Sequence, residues 1–193
     1  FIAPVEVTTT IRNVAPVVIR LAGSALVTEG LPAFYDVALD GVGLASGRSV
    51  TMTLDTGGLS ATEVDDFAAL LENALQPATG ITLSDKSTNP LTGAVTVTAS
   101  NTSGAALAID ASLLTFQLPT VVDTVIEGNE SFSVSLSSAT AVVSVGSITT
   151  SLADLVPQIT LQLIGETSIA EGQTASYAVN LVGGPLQIGQ SVT

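Results

Sequence analysis

The segment ESFSVSLS, residues 130–137, restricts the fold of this chain more than any other stretch. Phe132, Val134 and Leu136 alternate with serines, and a period of two places the apolar side chains on one face of a β-strand. Such a strand needs a second layer to cover its apolar face, while the serines remain in water. The segment therefore predicts a two-layered β structure.

A second constraint is an internal repeat, because residues 17–51 and 159–193 have similar sequences. Four matched positions share an offset of 142 residues: Glu29 with Glu171, Gly30 with Gly172, Tyr35 with Tyr177 and Leu39 with Leu181. Self-similarity at a fixed period is the sequence signature of tandem arrays. We therefore expect the chain to contain parts of more than one copy of the same domain.

The boundaries of these copies follow from a further match, between residues 7–16 and 148–157, at an offset of 141 residues. We expect residues 1–13 to be the last strand of a preceding repeat and residues 14–154 to be a complete β-sandwich repeat. Residues 155–193 would then be the first strands of the next repeat, so that the sequence begins and ends within repeats.

Most of the complete repeat has the pattern of short strands separated by turns rich in Gly, Pro, Asn and Asp. Seven to nine such strands are typical of an antiparallel β-sandwich. The expected strands lie near residues 17–22, 33–40, 48–55, 80–83, 94–100, 113–119, 130–137 and 140–152. The segment SDKSTNPLTG, residues 84–93, is predicted to be a polar loop.

One segment, at about residues 60–76, departs from this pattern. Phe67, Leu71 and Leu75 follow one another at a spacing of four, which gives one apolar face to a helix. Pro77 cannot continue a helix and marks its end. The sequence thus predicts an all-β fold with one inserted short α-helix.

The charge of the chain limits its partners, since 17 acidic residues and 4 basic residues give a formal net charge of −13. Nucleic acids and anionic membranes are bound by Lys and Arg, so neither partner is expected. The sequence has no Cys, and bound metal ions are one substitute for disulfides. No apolar run is long enough to cross a membrane. Residues 1–10 lack the regions of a signal peptide, so an export signal would lie outside this sequence.

The segment DTVIEGNESFSVSLS, residues 123–137, occurs together with Glu-Gly turns near the first strands and a last strand rich in threonine. This combination resembles the Calx-beta-like, immunoglobulin-like tandem repeats of very large bacterial surface adhesins. The resemblance covers the repeat except for the helical segment and residues 84–110. It implies an immunoglobulin-like sandwich, an extracellular location on the bacterial cell surface, and calcium sites at one end of each sandwich.

The family's calcium ligands, carried over position by position, match five acidic residues: Glu29, Asp66, Asp123, Glu127 and Asp154. Ca²⁺ takes six to eight oxygen ligands, and carboxylates from several loops supply them. Turns also attract Asp and Glu without any metal, and Asp66 is placed to complement the dipole of the predicted helix. Both interpretations stay open at these positions.

Catalysis is not expected, because the sequence has no His, no Cys and no Gly-x-Ser-x-Gly motif. The leading hypothesis is a structural extender repeat of an extracellular adhesin or filament, in which tandem sandwiches form a rod stiffened by calcium and contact neighbouring repeats. An alternative is a self-assembly module that builds a surface filament or sheath with other copies, by strand exchange or lateral contacts. A second alternative is a glycan- or protein-binding module.

Overall fold

The computed structural model describes residues 15–57, 71–122, 130–153, 155 and 160–183. Within these ranges the chain consists almost entirely of β-strands. The strands are β1 (Val18–Gly23), β2 (Leu26–Thr28), β3 (Pro32–Leu39), β4 (Ser49–Asp55), β5 (Gln76–Pro77), β6 (Ile81–Thr88), β7 (Val95–Asn101), β8 (Ser112–Pro119), β9 (Glu130–Ser138), β10 (Val142–Val145), β11 (Ser147–Ala153), β12 (Thr160–Gly165) and β13 (Tyr177–Val182). One helical turn, α1 (Leu71–Ala74), precedes β5.

Eleven of these strands form two sheets. The five-stranded sheet has the order β10-β1-β3-β8-β5, and the six-stranded sheet has the order β2-β11-β9-β4-β7-β6. Apolar residues of both sheets belong to one buried cluster, so the sheets pack face to face. The architecture is an immunoglobulin-like β-sandwich, as the sequence predicts, and its strand pairs are antiparallel except for β1 with β10 and β2 with β11.

The alternation read from the sequence builds this core. In β9, Phe132, Val134 and Leu136 are buried and the serines between them are exposed. In β4, Met52 and Leu54 point inward in the same way. Each such side chain contributes roughly 1.5–3 kcal/mol when fully buried. A slip of one residue would turn the serines into the core, and the pattern therefore fixes the register of the strands.

The first and last strands of the sandwich each pass from one sheet to the other. β1 and β2 are separated by Ser24 and Ala25, and β10 and β11 are separated by Gly146. β1 pairs in parallel with β10, and β2 pairs in parallel with β11. A one-residue link is too short to reverse a strand. β11 therefore continues in the direction of β10, and β2 continues in the direction of β1.

This arrangement separates the points at which the chain joins and leaves the sandwich. β1 and β10 begin at one end, named here the lower end, and β2 and β11 finish at the opposite, upper end. From Val18 to Thr28 the chain spans roughly 33 Å at the usual rise of a strand. The chain therefore joins the sandwich at the lower end and leaves it after Ala153 at the upper end.

Tyr35 of β3 connects the two sheets through the core. Its hydroxyl is hydrogen-bonded to Oγ1 of Thr150 in β11 at 2.5 Å, and Thr150 donates in turn to the carbonyl oxygen of Ser24 at 2.6 Å. The Tyr35 ring stacks on Phe116 of β8 with the ring centroids 4.9 Å apart. Burial raises the pKa of Tyr35 above its ordinary value, and the hydrogen bond to Thr150 partly opposes that rise.

The prediction of a polar loop at residues 84–93 is wrong in its first half. β6 continues as far as Thr88 and stays paired with β7 across an irregularity between Ser84 and Ser87. Asp85 adopts a φ of 53° at this bulge, and a bulge accommodates extra residues without ending the ladder. The side chains here are exposed, so no apolar alternation marks this part of the strand in the sequence.

The predicted helix at about residues 60–76 is described only from residue 71 onward. Leu71–Ala74 is helical, and Leu75 behind it is buried in the core. The helix ends two residues earlier than predicted because Gln76–Pro77 forms β5 and pairs with β8. In the described ranges no helix has the length and hydrophobicity needed to cross a membrane.

β12 and β13 form a separate antiparallel hairpin, and in the described part of the chain no strand of the sandwich pairs with it. Its register matches that of β1 and β3 when the repeat offset is subtracted. Ile19 faces Leu39 in the sandwich, as Leu161 faces Leu181 in the hairpin. All five residue pairs between β1 and β3 recur in this way.

Candidate functional site

Of the five predicted calcium ligands, Glu29 lies within the described residues, at the upper end of the sandwich. It lies in the turn between β2 and β3 and is only 5% exposed. Its backbone N–H donates to the carbonyl oxygen of Ala153 at 3.1 Å, and its carboxylate Oε2 accepts a hydrogen bond from the N–H of Leu155 at 3.2 Å. Glu29 therefore binds the chain on both sides of position 154, where the chain leaves the sandwich.

The turn that carries Glu29 depends on Gly30, which has a φ of 77°. A Cβ atom at Gly30 would lie 2.5 Å from Cγ2 of Val122, so only glycine suits both the backbone angle and the contact. The turn is closed by the N–H of Leu31, which donates to the carbonyl oxygen of Thr28 at 3.0 Å. Thr120 adds a hydrogen bond from its hydroxyl to the Leu31 carbonyl oxygen at 2.9 Å. The segment after β8 is therefore seated against this turn.

The other four predicted calcium ligands lie outside the described residues: Asp66, Asp123, Glu127 and Asp154. Two of them are sequence neighbours of residues at the upper end, since Asp123 follows Val122 and Asp154 precedes Leu155. Among the described residues, no three or more acidic, His or Cys side chains are grouped so as to hold a metal ion. The calcium site stays a prediction.

The lower end is organised by a residue that the sequence analysis did not single out, Asn101 at the end of β7. It is fully buried, and its Nδ2 donates to the carbonyl oxygens of Leu44 and Ala105, each at 2.8 Å. Its Oδ1 accepts hydrogen bonds from the N–H of Ser103 at 3.0 Å and from the Ser103 hydroxyl at 2.7 Å. All the hydrogen-bonding positions of the amide are used. Asn101 is therefore a structural residue, not a ligand-binding one.

A groove of about 510 Å³ lies on the outer face of the five-stranded sheet. Its polar and aromatic lining includes Ser24, Phe34, Asp36, Thr115 and Gln117. Phe34 is 53% exposed, although its neighbour Tyr35 is buried. In the β12–β13 hairpin the position of Phe34 is occupied by Ser176. The hairpin fold thus does not require an aromatic residue there, and Phe34 is available to contact a ligand.

The β12–β13 hairpin reproduces the local structure of β1 and β3 as well as their register. Gly172 has a φ of 85°, like Gly30. Two hydrogen bonds also recur at the repeat offset: Gln173 N–H to Ala170 O matches Leu31 N–H to Thr28 O, and Ser176 N–H to Glu166 Oε2 matches Phe34 N–H to Ser24 Oγ. The two segments therefore share their turn and their strand ends.

The sequence matches no protein-family model and no curated protein. The solved structures that are similar to this chain include three cohesins. The cohesin of a type I cohesin–dockerin complex from Clostridium thermocellum has a TM-score of 0.47 at 10% identity, covering 71% of this chain and 99% of the cohesin. The seventh ScaB type I cohesin of Pseudobacteroides cellulosolvens has a TM-score of 0.44 at 10% identity, covering 72% and 95%. A cohesin module of a Clostridium perfringens family 33 glycoside hydrolase has a TM-score of 0.42 at 11% identity, covering 73% and 99%. Likenesses at this level carry no conclusion about this chain.

Proposed function

We propose that residues 14–154 are a structural extender repeat of an extracellular adhesin or filament on a bacterial cell surface. The observation that carries this proposal is that the chain joins the sandwich at its lower end and leaves it at its upper end. Sandwiches connected in this way follow one another end to end, and each adds its full strand length to the array. A domain whose two ends lay side by side would add much less.

The β12–β13 hairpin supports the division into repeats at residues 13/14 and 154/155. It has the register, the turn and the positive-φ glycine of β1 and β3. The structural partners of each repeat would accordingly be its neighbours in the same chain. Between Ala153 and the first residue of β12 the chain has only six residues, which is short for a flexible connection.

The proposal includes a stiff junction between repeats. The hydrogen bond from the Glu29 N–H to the Ala153 carbonyl oxygen and the one from the Leu155 N–H to the Glu29 carboxylate hold the outgoing chain against the sandwich. Calcium would strengthen this junction, because carboxylate oxygens are the ligands that Ca²⁺ prefers. Asp123 and Asp154 flank described residues of the upper end in the sequence. With Glu29, Asp66 and Glu127 they make up the proposed ligand set.

No catalytic role, nucleic-acid partner or membrane insertion is part of the proposal. The sequence lacks His and Cys, which are frequent acid–base and nucleophilic groups in enzymes. Its net charge of −13 opposes binding to polyanions.

The test is the length of two copies of residues 14–154 joined in tandem, measured by small-angle scattering with calcium and with a chelator. We expect a maximum dimension close to twice that of a single copy when calcium is present. With the chelator we expect a shorter, broader distribution and a lower melting temperature. The Glu29→Gln variant keeps the shape of the side chain but removes its charge, and its length should no longer respond to calcium.

Two outcomes would contradict the extender function. Two repeats that fold back on each other, with the length of a single repeat, would remove the basis of the rod. Oligomers whose size grows with protein concentration would favour the self-assembly module instead, since edge strands can pair with another chain.

A second candidate function is binding of a neutral glycan, and the exposed ring of Phe34 in the outer groove favours it. Apolar sugar faces pack on aromatic rings, while Gln117, Thr115 and Asp36 can exchange hydrogen bonds with hydroxyl groups. The acidic chain would disfavour anionic sugars. The Phe34→Ser variant copies the residue of the second hairpin, so it should keep the fold and lose any glycan that the parent chain captures on a neutral-oligosaccharide array. Equal capture by both proteins would exclude this groove.

A further inference from the structure

The β12–β13 hairpin has an apolar face to which the described part of the chain offers no covering strand. The face consists of alternate residues on the two strands: Leu161, Leu163, Tyr177, Val179 and Leu181. Their exposed fractions lie between 41% for Leu181 and 69% for Leu163. A two-stranded hairpin of this kind is marginally stable in water unless a further layer covers it.

The same chain shows this face in its covered state. The matching residues of β1 and β3 are Ile19, Leu21, Tyr35, Val37 and Leu39. Each of these is at most 2% exposed. The two strand pairs have the same register. The same alternate positions therefore face the core in β1 and β3 but face solvent in β12 and β13.

The layer that covers β1 and β3 comes from residues 49–153. Met52 of β4 and Val134 of β9 lie in the facing six-stranded sheet and belong to the same buried cluster as β1 and β3, while Phe116 of β8 extends the core side of their own sheet. Thr150 of β11 provides the hydrogen-bond partner of the Tyr35 hydroxyl. Within the described part of 49–153, every buried side chain is uncharged. This segment thus offers both an apolar surface and a partner for a tyrosine hydroxyl.

We propose that the apolar face of the β12–β13 hairpin is half of a second sandwich core, and that its partner is a second copy of the segment formed by residues 49–153. The inference rests on the tandem-repeat function proposed above and adds to it the identity of the covering segment. The hairpin and β1–β3 are interchangeable: one copy of 49–153 covers either of them. Tyr177 then donates to the hydroxyl that corresponds to Thr150.

The test is a fusion that continues the full chain with a second copy of residues 52–153 after Thr193. The join is in phase, because residues 190–193, QSVT, match residues 48–51, RSVT. The chain has two tyrosines and no Trp, so in a Tyr35→Phe background Tyr177 is the sole fluorescent tyrosine. Quenching by acrylamide should fall about threefold or more in the fusion, because a covered aromatic side chain is withdrawn from solvent.

Two matched variants of the fusion separate covering of this face from nonspecific collapse. Val179→Asp places a carboxylate on the covered face and should restore the quenching of the unextended chain, because an unpaired charge is not tolerated in a core. Ala178→Asp places the same carboxylate at the position of Asp36, which lies half-exposed on the outer face of the sandwich. It should leave Tyr177 protected.

The inference is overturned if Tyr177 is quenched equally in the fusion and in the unextended chain. It is also overturned if the unextended chain alone protects Tyr177 as its concentration rises, since two hairpins would then cover each other. The scattering experiment on two complete repeats measures length, whereas this experiment measures covering of one face. If Tyr177 is protected in the fusion but two complete repeats have the length of one, only the extender function is contradicted. If two complete repeats are extended but Tyr177 stays exposed in the fusion, only the present inference is contradicted.

Discussion

At the scale of single residues, the buried amide of Asn101 holds together the loops of the lower end. It supplies two donors to the carbonyl oxygens of Leu44 and Ala105 and two acceptor positions to Ser103. We expect Asn101→Ala to lower the free energy of unfolding by about 3 kcal/mol, because several buried groups lose their partners at once. Urea unfolding of the full chain measures this change.

The matched control for this prediction is Asn89. Its Oδ1 also accepts a local backbone hydrogen bond, from the N–H of Leu91 at 2.9 Å, but its side chain is exposed and water can replace the partner. Asn89→Ala should cost less than about 1 kcal/mol. Similar losses of unfolding free energy at the two positions would show that burial of the Asn101 hydrogen bonds does not increase their contribution to stability.

Tyr35 makes a contribution to stability that is lost at high pH. Burial raises the pKa of Tyr35 above its ordinary value of 10.0, and the Thr150 hydrogen bond partly offsets this. The folded protein therefore holds the phenolic proton more tightly than the unfolded chain does. The contribution is complete below pH 10 and is lost as the pH rises from there through the pKa of the folded state.

The measurement is the urea midpoint between pH 8 and pH 11. It should fall steeply above pH 10 in the parent chain and much less in Tyr35→Phe. At pH 8 the variant should be less stable by about 1 kcal/mol, because the hydrogen bond to Thr150 is gone. Parallel pH curves for the two proteins would contradict this role of Tyr35.

At the scale of elements, a close contact between a glycine and a tyrosine occurs in both hairpins. A Cβ atom at Gly23 would lie 2.3 Å from Cδ1 of Tyr35, and one at Gly165 would lie 2.1 Å from Cδ1 of Tyr177. Only the Tyr35 ring is held in place, by Phe116 and by Thr150. Gly23→Ala should therefore cost about 2 kcal/mol through overpacking.

Gly165→Ala is the natural comparison, because Tyr177 is 64% exposed and its ring can move away. It should leave the thermal midpoint of the sandwich unchanged. A midpoint that falls equally in both variants would mean that the contact itself, and not the fixed ring, determines the cost.

The elements that the sequence predicts correctly are those with a buried apolar face. β4 and β9 carry a strict alternation, and their predicted bounds agree with the structure to within a residue. β2 has three residues and β5 has two, which is too few for any periodic pattern. The second half of β6 is exposed, and only its backbone pairing with β7 makes it a strand. Local sequence does not encode pairing of this kind.

The sequence also identifies only some of the residues that matter at the two ends of the sandwich. Glu29 is a candidate calcium ligand through the resemblance to the adhesin repeats. It lies in a buried turn at the upper end of the sandwich, and calcium binding by its carboxylate stays a prediction. The remaining candidate ligands Asp66, Asp123, Glu127 and Asp154 lie outside the described residues. Asn101 was missed because Asn followed by Thr, Ser and Gly is an ordinary turn signal. Its full burial depends on Leu44, which is far away in the sequence.

At the scale of the whole molecule, the parallel pairing of the first and last strands determines how the repeat responds to mechanical tension. When an array is stretched, β1–β2 is pulled toward the lower end and β10–β11 toward the upper end. The bonds between them are then loaded in shear and all at once, including Val142 N–H to Val17 O and Ser151 N–H to Ala25 O. They do not break one after another, as the hydrogen bonds of a hairpin do when its two strands are pulled apart from one end.

Val142→Pro removes one of these donors, and in single-molecule pulling of the tandem repeats it should lower the unfolding force. The comparison is Leu71→Ala, which should lower stability in urea through the packing of α1 while leaving the force almost unchanged. Forced unfolding is governed by the unfolding rate, not by the equilibrium free energy. A sandwich built in this way resists best along the line that joins its lower and upper ends, so its mechanical strength and its thermal stability can change independently.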